Sequence, residues 1–346
     1  MSIEKISNGR IEWLDMAKGY GIILVIFAHL GVPLWGTWIY SFHMPLFFFL
    51  SGYVFSEKYG FITFLKKKIK TLLIPYFCLG IPILVFQIWR ARYDFNIQIV
   101  LKMCAAFLTQ KRLWTLWYIA CLFWLNIFFW ILIRYIKHDL WRMVICVLCT
   151  IGGLIYYGGG GQPLPWNVDV CLTAVPFFYV GFYCKKHGRI FDFILRNEIN
   201  IVVGMIALLL GNLISCYFSH ITSGSGLEMF QSKYGCPILS YFSAFCGIGV
   251  IVIFSHLFTI KVVQYIGKNS LIYYGWHQQL IMPFAIQFIE NLFNCIEGNN
   301  IFVIWGIRLL ELLFIISILT ICTILIQRIK MKFIDNKVKF ERGRYE

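Results

Sequence analysis

Charge is what this sequence has least of. Only 14% of its 346 residues are Asp, Glu, Lys or Arg, whereas a soluble domain carries about a quarter. That scarcity excludes a water-covered globular fold of this size. Acidic residues are the rarer sign, 16 against 31 Lys and Arg, for a net charge of +15. Long polar stretches are missing, so one membrane domain is expected rather than two folded units. Internal repeats are missing too, which departs from transporters built of matching halves. The polar segment Met1 to Asp15 leads into an apolar run with no small-residue cleavage site, so a cleavable signal is not expected. Nearly all of the 12 cysteines sit in apolar segments and do not space out as a disulfide framework. Cys146 and Cys149 form a C-x-x-C with no partner pair. They read as small buried hydrophobes, and no metal site is expected.

What is abundant is apolar surface, at 60% of residues. Runs of roughly 18 to 22 residues, each long enough to span a bilayer, recur from Gly19 to Gln327. They give ten candidate spans, at 17–36, 42–57, 71–90, 115–134, 142–158, 169–184, 200–218, 236–256, 269–289 and 301–327. Pro45, Pro75, Pro176 and Pro237 fall near span starts, where proline costs little. Cations collect between alternate spans: Lys5 and Arg10; Lys58, Lys66, Lys67, Lys68 and Lys70; Arg134, Lys137 and Arg142; Lys185, Lys186, Arg189 and Arg196; Lys261 and Lys268; and the tail from Arg328 to Arg344. The basic excess therefore reads as cytoplasmic flanks facing membrane lipids, not as a nucleic-acid surface. The expectation is an all-α polytopic bundle of about ten helices in the plasma or inner membrane. Both termini are cytoplasmic, with a short N-terminal segment 1–16, a membrane domain 17–327 and a basic tail 328–346. The stretch 91–113 breaks the charge rule. It reads as an external amphipathic helix with Arg92, Lys102, Lys111 and Arg112 on its wet face.

The first span carries the sharpest pattern, "LDMAKGYGIILVIFAHL". Lys18 and His29 are eleven residues apart, which on a helix is about 20° around the axis and about 16 Å along it. Asp15 falls about 60° from Lys18, so the three form one polar stripe. A cation at the cytoplasmic mouth suits a phosphate, and an imidazole at mid-depth suits a reactive group. An ionisable residue at that depth is a functional candidate because burying it is expensive. The competing readings are an interhelical hydrogen bond for His29 and a snorkelling side chain for Lys18. His43 opens the second span two residues before Pro45, as an interfacial cap, a wet loop residue or an acceptor contact; Ser51 and Gly52 behind it suggest close helix packing. His277 lies nine residues beyond Lys268, about 13 Å by helical rise. That depth allows it to meet His29, with Gln278 and Gln279 beside it. Arg308 and Glu311 read as an internal ion pair or as the lining of an acceptor path. Trp117 and Tyr118 read as an aromatic belt or as stacking faces for a sugar. Asp169 reads as a helix cap.

The stretches "IEWLDMAKGYGIILVIFAHL", "SFHMPLFFFLSGYVF", "FLKKKIKTLLIPY", "LWYIACLF", "VPFFYVGFYCKKH" and "IGKNSLIYYGWHQQ" resemble the membrane acyltransferase-3 family, in order and spacing, from about residue 11 to 330. This family includes bacterial polysaccharide and fucose O-acetylases. The resemblance implies a ten-helix enzyme that takes an acyl group, usually acetyl, from coenzyme A at the cytoplasmic face. It passes that group to a hydroxyl of a cell-surface or lipid-linked carbohydrate. The family's basic residue and histidine, ten residues between them, map onto Lys18 and His29. Its basic pair before the third helix falls on Lys68 and Thr71, where Lys67 and Lys70 stand as substitutes. The chemistry of the residues suggests His29 as the base that deprotonates the hydroxyl, with His277 as catalytic company and Asp15 either paired with Lys18 or orienting a base. Lys18, Lys68 and Lys70 would meet donor phosphates. His43, Trp117, Tyr118, Arg308 and Glu311 would meet the acceptor. A transporter or flippase of a glycan or small solute is the alternative. A bare scaffold would have no reason for the Lys18–His29 stripe.

Overall fold

In hydrocarbon there is no water to bond a free backbone N–H or C=O, so a spanning segment satisfies itself as a helix. The computed structural model follows that constraint. It describes residues 6–7, 10–32, 36–94, 96–188, 195–293 and 301–342. Lys5, Arg189 and the tail beyond Arg342, counted above among the cations, lie outside the described residues. Two short antiparallel strands, β1 (Ile6–Ser7) and β2 (Arg10–Ile11), precede an otherwise helical chain.

Helix α1 (Glu12–His29) is followed by the short α2 (Gly36–Tyr40) and by α3 (His43–Tyr53). Then α4 (Phe61–Lys68), a π-helical turn (Ile69–Leu73) and α5 (Ile74–Arg90) run on as one length. Pro75 cannot donate to the carbonyl four residues back and its ring crowds that carbonyl; the widened turn just before it relieves both problems. Helix α6 (Ile97–Thr109) leads to α7 (Trp117–Tyr135), α8 (Asp139–Gly158), α9 (Val168–His187), α10 (Glu198–Ser223) and α11 (Pro237–Leu257). The chain ends through α12 (Lys261–Lys268), α13 (Ser270–Trp276), a second π-helical turn (His277–Ile281), α14 (Met282–Phe293) and the long α15 (Ile301–Arg342).

Among the described residues, seven helices are long and apolar enough to cross a membrane. The other three expected spans, 17–36, 42–57 and 269–289, fall on elements that miss the length or the apolarity. Helix α1 holds Glu12, Asp15 and Lys18 in 18 residues, α3 has 11 residues, and the stretch from Ser270 carries the polar His277, Gln278 and Gln279 at its middle. Pro176 lies inside α9 and not at its start. Membrane helices carry interior prolines because neighbouring groups take up the freed carbonyl. The outward surface is apolar: α10 leaves Ile199, Val202, Val203, Ile206 and Leu210 exposed along its length. In water that would be an aggregation-prone patch, and in lipid it is an ordinary surface. This is a multi-pass membrane protein.

Two helix crossings set the interior. Helix α3 packs on α9, and α1 packs on α12. At the first, a β-carbon on Gly52 would overlap the carbonyl of Phe178, and one on Gly181 would overlap that of Phe49. At the second, Gly19 faces the carbonyl of Val263 and Gly267 that of Asp15 in the same way. Each helix lends a glycine to its partner's backbone, so the axes approach as closely as two helices can. Phe48, Phe49, Phe177 and Phe178 fill the space around the α3–α9 crossing and are almost wholly buried.

Replacing Gly181 with Ala therefore drives a methyl into a backbone oxygen that cannot swing aside. A destabilisation of about 1–3 kcal/mol is expected from overpacking of this kind, read as a lower midpoint of thermal unfolding in detergent. Gly152→Ala, where a β-carbon meets nothing within 4 Å, should leave the midpoint unchanged.

Candidate active site

The polar stripe on α1 leads to two cavities, one at each end of the helix. At the Lys18 end is a cavity of about 820 Å³ with largely apolar walls, edged by Asp15, Lys18, Lys268 and Lys330. At the His29 end is a cavity of about 490 Å³ lined by His29, His43, Tyr40, Glu228 and aromatic side chains. Tyr274 lines both. It stands beside Tyr118, ring centres 5.6 Å apart, and the pair forms the partition. Each hydroxyl is tied to backbone. Tyr274 donates to the carbonyl of Thr115, and Tyr118 donates to Phe47 at 3.1 Å. Ser51 Oγ lies 3.1 Å from the Tyr118 oxygen and, with that proton already given, must be the donor there.

The two histidines read from depth alone as able to meet do so. His29 Nδ1 lies 2.8 Å from His277 Nε2, with the rings nearly parallel. The second π turn begins at His277, and π-turns recur at functional sites. Their tautomers follow from the partners. His277 Nδ1 sits 3.0 Å and 2.9 Å from the carbonyls of Tyr273 and Tyr274. A carbonyl only accepts, so His277 Nδ1 holds the proton and its Nε2 is an acceptor. His29 must then donate from Nδ1, which leaves Nε2 of His29 with its lone pair. By the same reasoning His43, 2.9 Å from the carbonyl of Ile39, is protonated on Nδ1 and bare on Nε2. His43 is buried at the start of α3 and is not a wet loop residue.

Asp15 and His29 are fourteen residues apart, about 21 Å of helical rise. Asp15 accordingly pairs with Lys18, at 3.9 Å, rather than orienting the imidazole. Its Oδ2 is buried without a partner in the wall of the larger cavity. Lys68 and Lys70 do not line that cavity: Lys68 leans over the Phe64 ring and Lys70 is exposed. Lys268 and Lys330 hold the mouth instead. Sequence spacing alone does not single out Lys330, because only the fold of the long α15 returns it to α1. Arg308 and Glu311 form the internal ion pair, 2.8 Å apart with Glu311 wholly buried, and neither lines either of these two cavities.

The smaller cavity corrects three sequence expectations. Arg112 is not on a wet face. Its guanidinium is buried and ion-paired to Asp169 at 2.7 Å, and it also reaches Ser232 and Asn167. A cation near hydrocarbon is stable only with such a partner. Asp169 is thereby an ion-pair partner more than a helix cap. Trp117 and Tyr118 are 4% and 6% exposed and form no belt; Trp117 lines the smaller cavity and Tyr118 the larger. Residues that sequence reasoning missed here are Tyr40, Trp114, Gln231 and Glu228. Glu228 had one available signal, as the single carboxylate of its loop. Burial raises its carboxyl above the usual range, with Lys233 opposing. The Tyr40 phenol is pushed up to about 12 by burial and then by Glu228.

Two loops contribute to the walls with residues 112–115 and 228–231, a third at 159–167 stands behind them, and the backbone is strained in all three. Gln110, Arg112 and Trp114, then Trp166 and Asn167, then Ser232, all have positive φ without being glycine. Arg112 joins these loops through Asn167 and Ser232. Such conformations persist where surroundings over-determine them and cluster at functional sites.

A family profile described as an acyltransferase domain matches residues 11–327. No curated protein and no solved structure matches the chain.

Two outcomes test this geometry. Nitrogen-15 NMR of labelled histidine at neutral pH should find His29 as the Nδ1–H tautomer, and His277→Phe should remove that preference. Asp169→Ala should cost about 3–5 kcal/mol of stability, because it strands a buried guanidinium. Joining it with Arg112→Met should recover part of the loss in the same unfolding measurement.

Proposed function

The chain belongs to the acyltransferase-3 family, and we propose that it moves an acetyl or other short acyl group from acyl-coenzyme A to a carbohydrate hydroxyl. The reading rests first on one observation: an imidazole with a bare Nε2, fixed by His277, in the wall of a cavity that is separated from a second, basic-mouthed cavity by two tyrosines. In this proposal ten helices cross the cell membrane and both termini are cytoplasmic, leaving residues 1–16 and 328–346 as cytoplasmic ends. The larger cavity then opens to the cytoplasm. Acetyl-coenzyme A lays its phosphates against Lys18, Lys268 and Lys330 and its pantetheine arm along the apolar wall. Lys68 and Lys70 help to draw the donor in from the approach surface.

A sugar hydroxyl is a poor nucleophile at neutral pH, so its proton must leave as it attacks. The acceptor oxygen attacks the thioester carbonyl carbon while His29 Nε2 takes its proton. The C–S bond breaks, the ester remains on the sugar, and the thiol of coenzyme A recovers the proton. His277 Nε2 accepts from His29 Nδ1 throughout, which stabilises the imidazolium formed in between. His43 and Trp117 bound the acceptor, and Tyr118 and Tyr274 bound the path of the acyl group. Asp15 acts through Lys18 at the donor mouth, and Arg308 with Glu311 holds α15 together. Transfer is direct, with no acylated residue.

In membranes supplied with radiolabelled acetyl-coenzyme A, label should enter a glycan or glycolipid fraction. His29→Ala at matched expression should lower that incorporation at least 100-fold, the lower end of general-base contributions. Equal labelling by the variant would reject His29 as base, and a covalent acyl-enzyme trapped with donor alone would reject direct transfer.

A further inference from the structure

The smaller cavity carries a charge pattern that selects its occupant, on the reading above that it receives the acceptor sugar. Its lining holds two ionic side chains, Arg112 and Glu228. The charge on Arg112 is already met by Asp169 at 2.7 Å. That leaves the Glu228 carboxylate, which Gln231 hydrogen-bonds and Lys233 opposes from outside the lining, as the net charge of the lining. Lys233 pairs with Glu228 through backbone bonds, but its side chain is exposed and outside the lining. An anion brought into this space meets one negative charge with no lining cation left to offset it, and at a lower dielectric than water that repulsion is large.

The rest of the wall suits a neutral polyol. Gln231, Gln278 and Gln279 offer amides that both donate and accept, and Trp114, Trp117 and Phe230 offer ring faces for C–H surface. A carboxylate accepts two hydroxyls at once. Arg112, with its side chain 8% exposed, is held by Asp169, Asn167 and Ser232 and forms fixed wall. At about 490 Å³ the space is within the usual span of small-molecule sites, about 300–1,000 Å³.

We infer that the cavity takes an uncharged pyranose, with Glu228 accepting paired hydroxyls, and that it refuses sugars bearing a carboxylate or phosphate. Glu228 is thus the residue that sets acceptor charge.

The test is acetyl transfer from labelled acetyl-coenzyme A by the full chain in proteoliposomes. The acceptors are a panel of neutral methyl hexopyranosides and the matching methyl hexopyranosiduronates. The native chain should favour the neutral set at least tenfold in kcat/KM. Glu228→Gln should narrow that ratio, and Glu228→Lys should shift it at least tenfold toward the uronates. If the lysine variant does not fold, the glutamine variant and the native ratio still decide. Equal use of both sugar classes by the native chain, or a ratio unmoved in the folded variants, would overturn the assignment. If a preparation that binds acetyl-coenzyme A labels no sugar of either class, the carbohydrate reading falls, and the assignment falls with it.

Discussion

The hydrogen bond between His29 and His277 is the contact on which the candidate site depends. An imidazole in an apolar interior must place its N–H on an acceptor, and each acceptor chosen decides where the lone pair is left. Here the order runs from the carbonyls of Tyr273 and Tyr274 to His277 and then to His29. It ends on a bare nitrogen at the wall of the smaller cavity. The arrangement requires α1 and the π turn at His277 to lie side by side. The Gly19–Gly267 crossing brings α1 against the segment just before that turn. A methyl at either glycine would overlap a partner carbonyl and push these two segments apart.

Tyr118 and Tyr274 give the two cavities different characters while keeping them close. Their hydroxyls are engaged with backbone and Ser51, so their rings meet as a wall without unpaired polar atoms. On one side are lysines and apolar surface, and on the other are histidines, amides, a carboxylate and strained loops. The Arg112–Asp169 pair ties those loops together. A buried ion pair contributes little net stability and loses much when one partner goes, which suits it to fixing loop positions. The strain at Arg112 and Asn167 is held by the same contacts.

Much of this was legible in one dimension. The membrane class followed from scarce charge and long apolar runs, because a bilayer imposes length and hydropathy on every segment that crosses it. The Lys18–His29 stripe and the depth of His277 followed from helical rise alone. Gly52 read as a packing residue and is one. Other readings went astray where helix geometry stops informing. Arg112 looked wet because it follows an amphipathic stretch, but its partner Asp169 comes 57 residues later. Trp117 and Tyr118 looked like a belt because they stand at a helix end, but the loops around 110–116 and 225–236 close over that end. Pro176 sits in mid-helix because its neighbours tolerate it there.

The sequence by itself determined what acts locally: which segments are helical and apolar, which helix face carries the ionisable groups, and which family the order of motifs belongs to. Only the tertiary structure decided which residues share a cavity. Glu228, Gln231 and Trp114 reach the histidines from loops, and Lys330 reaches Lys18 from the far end of the chain. No periodicity relates such residues, since their distance is set by how helices cross and loops fold back. The tautomer of His29 is the clearest case. It depends on a partner 248 residues away, and on carbonyls whose direction is fixed by a single widened helical turn.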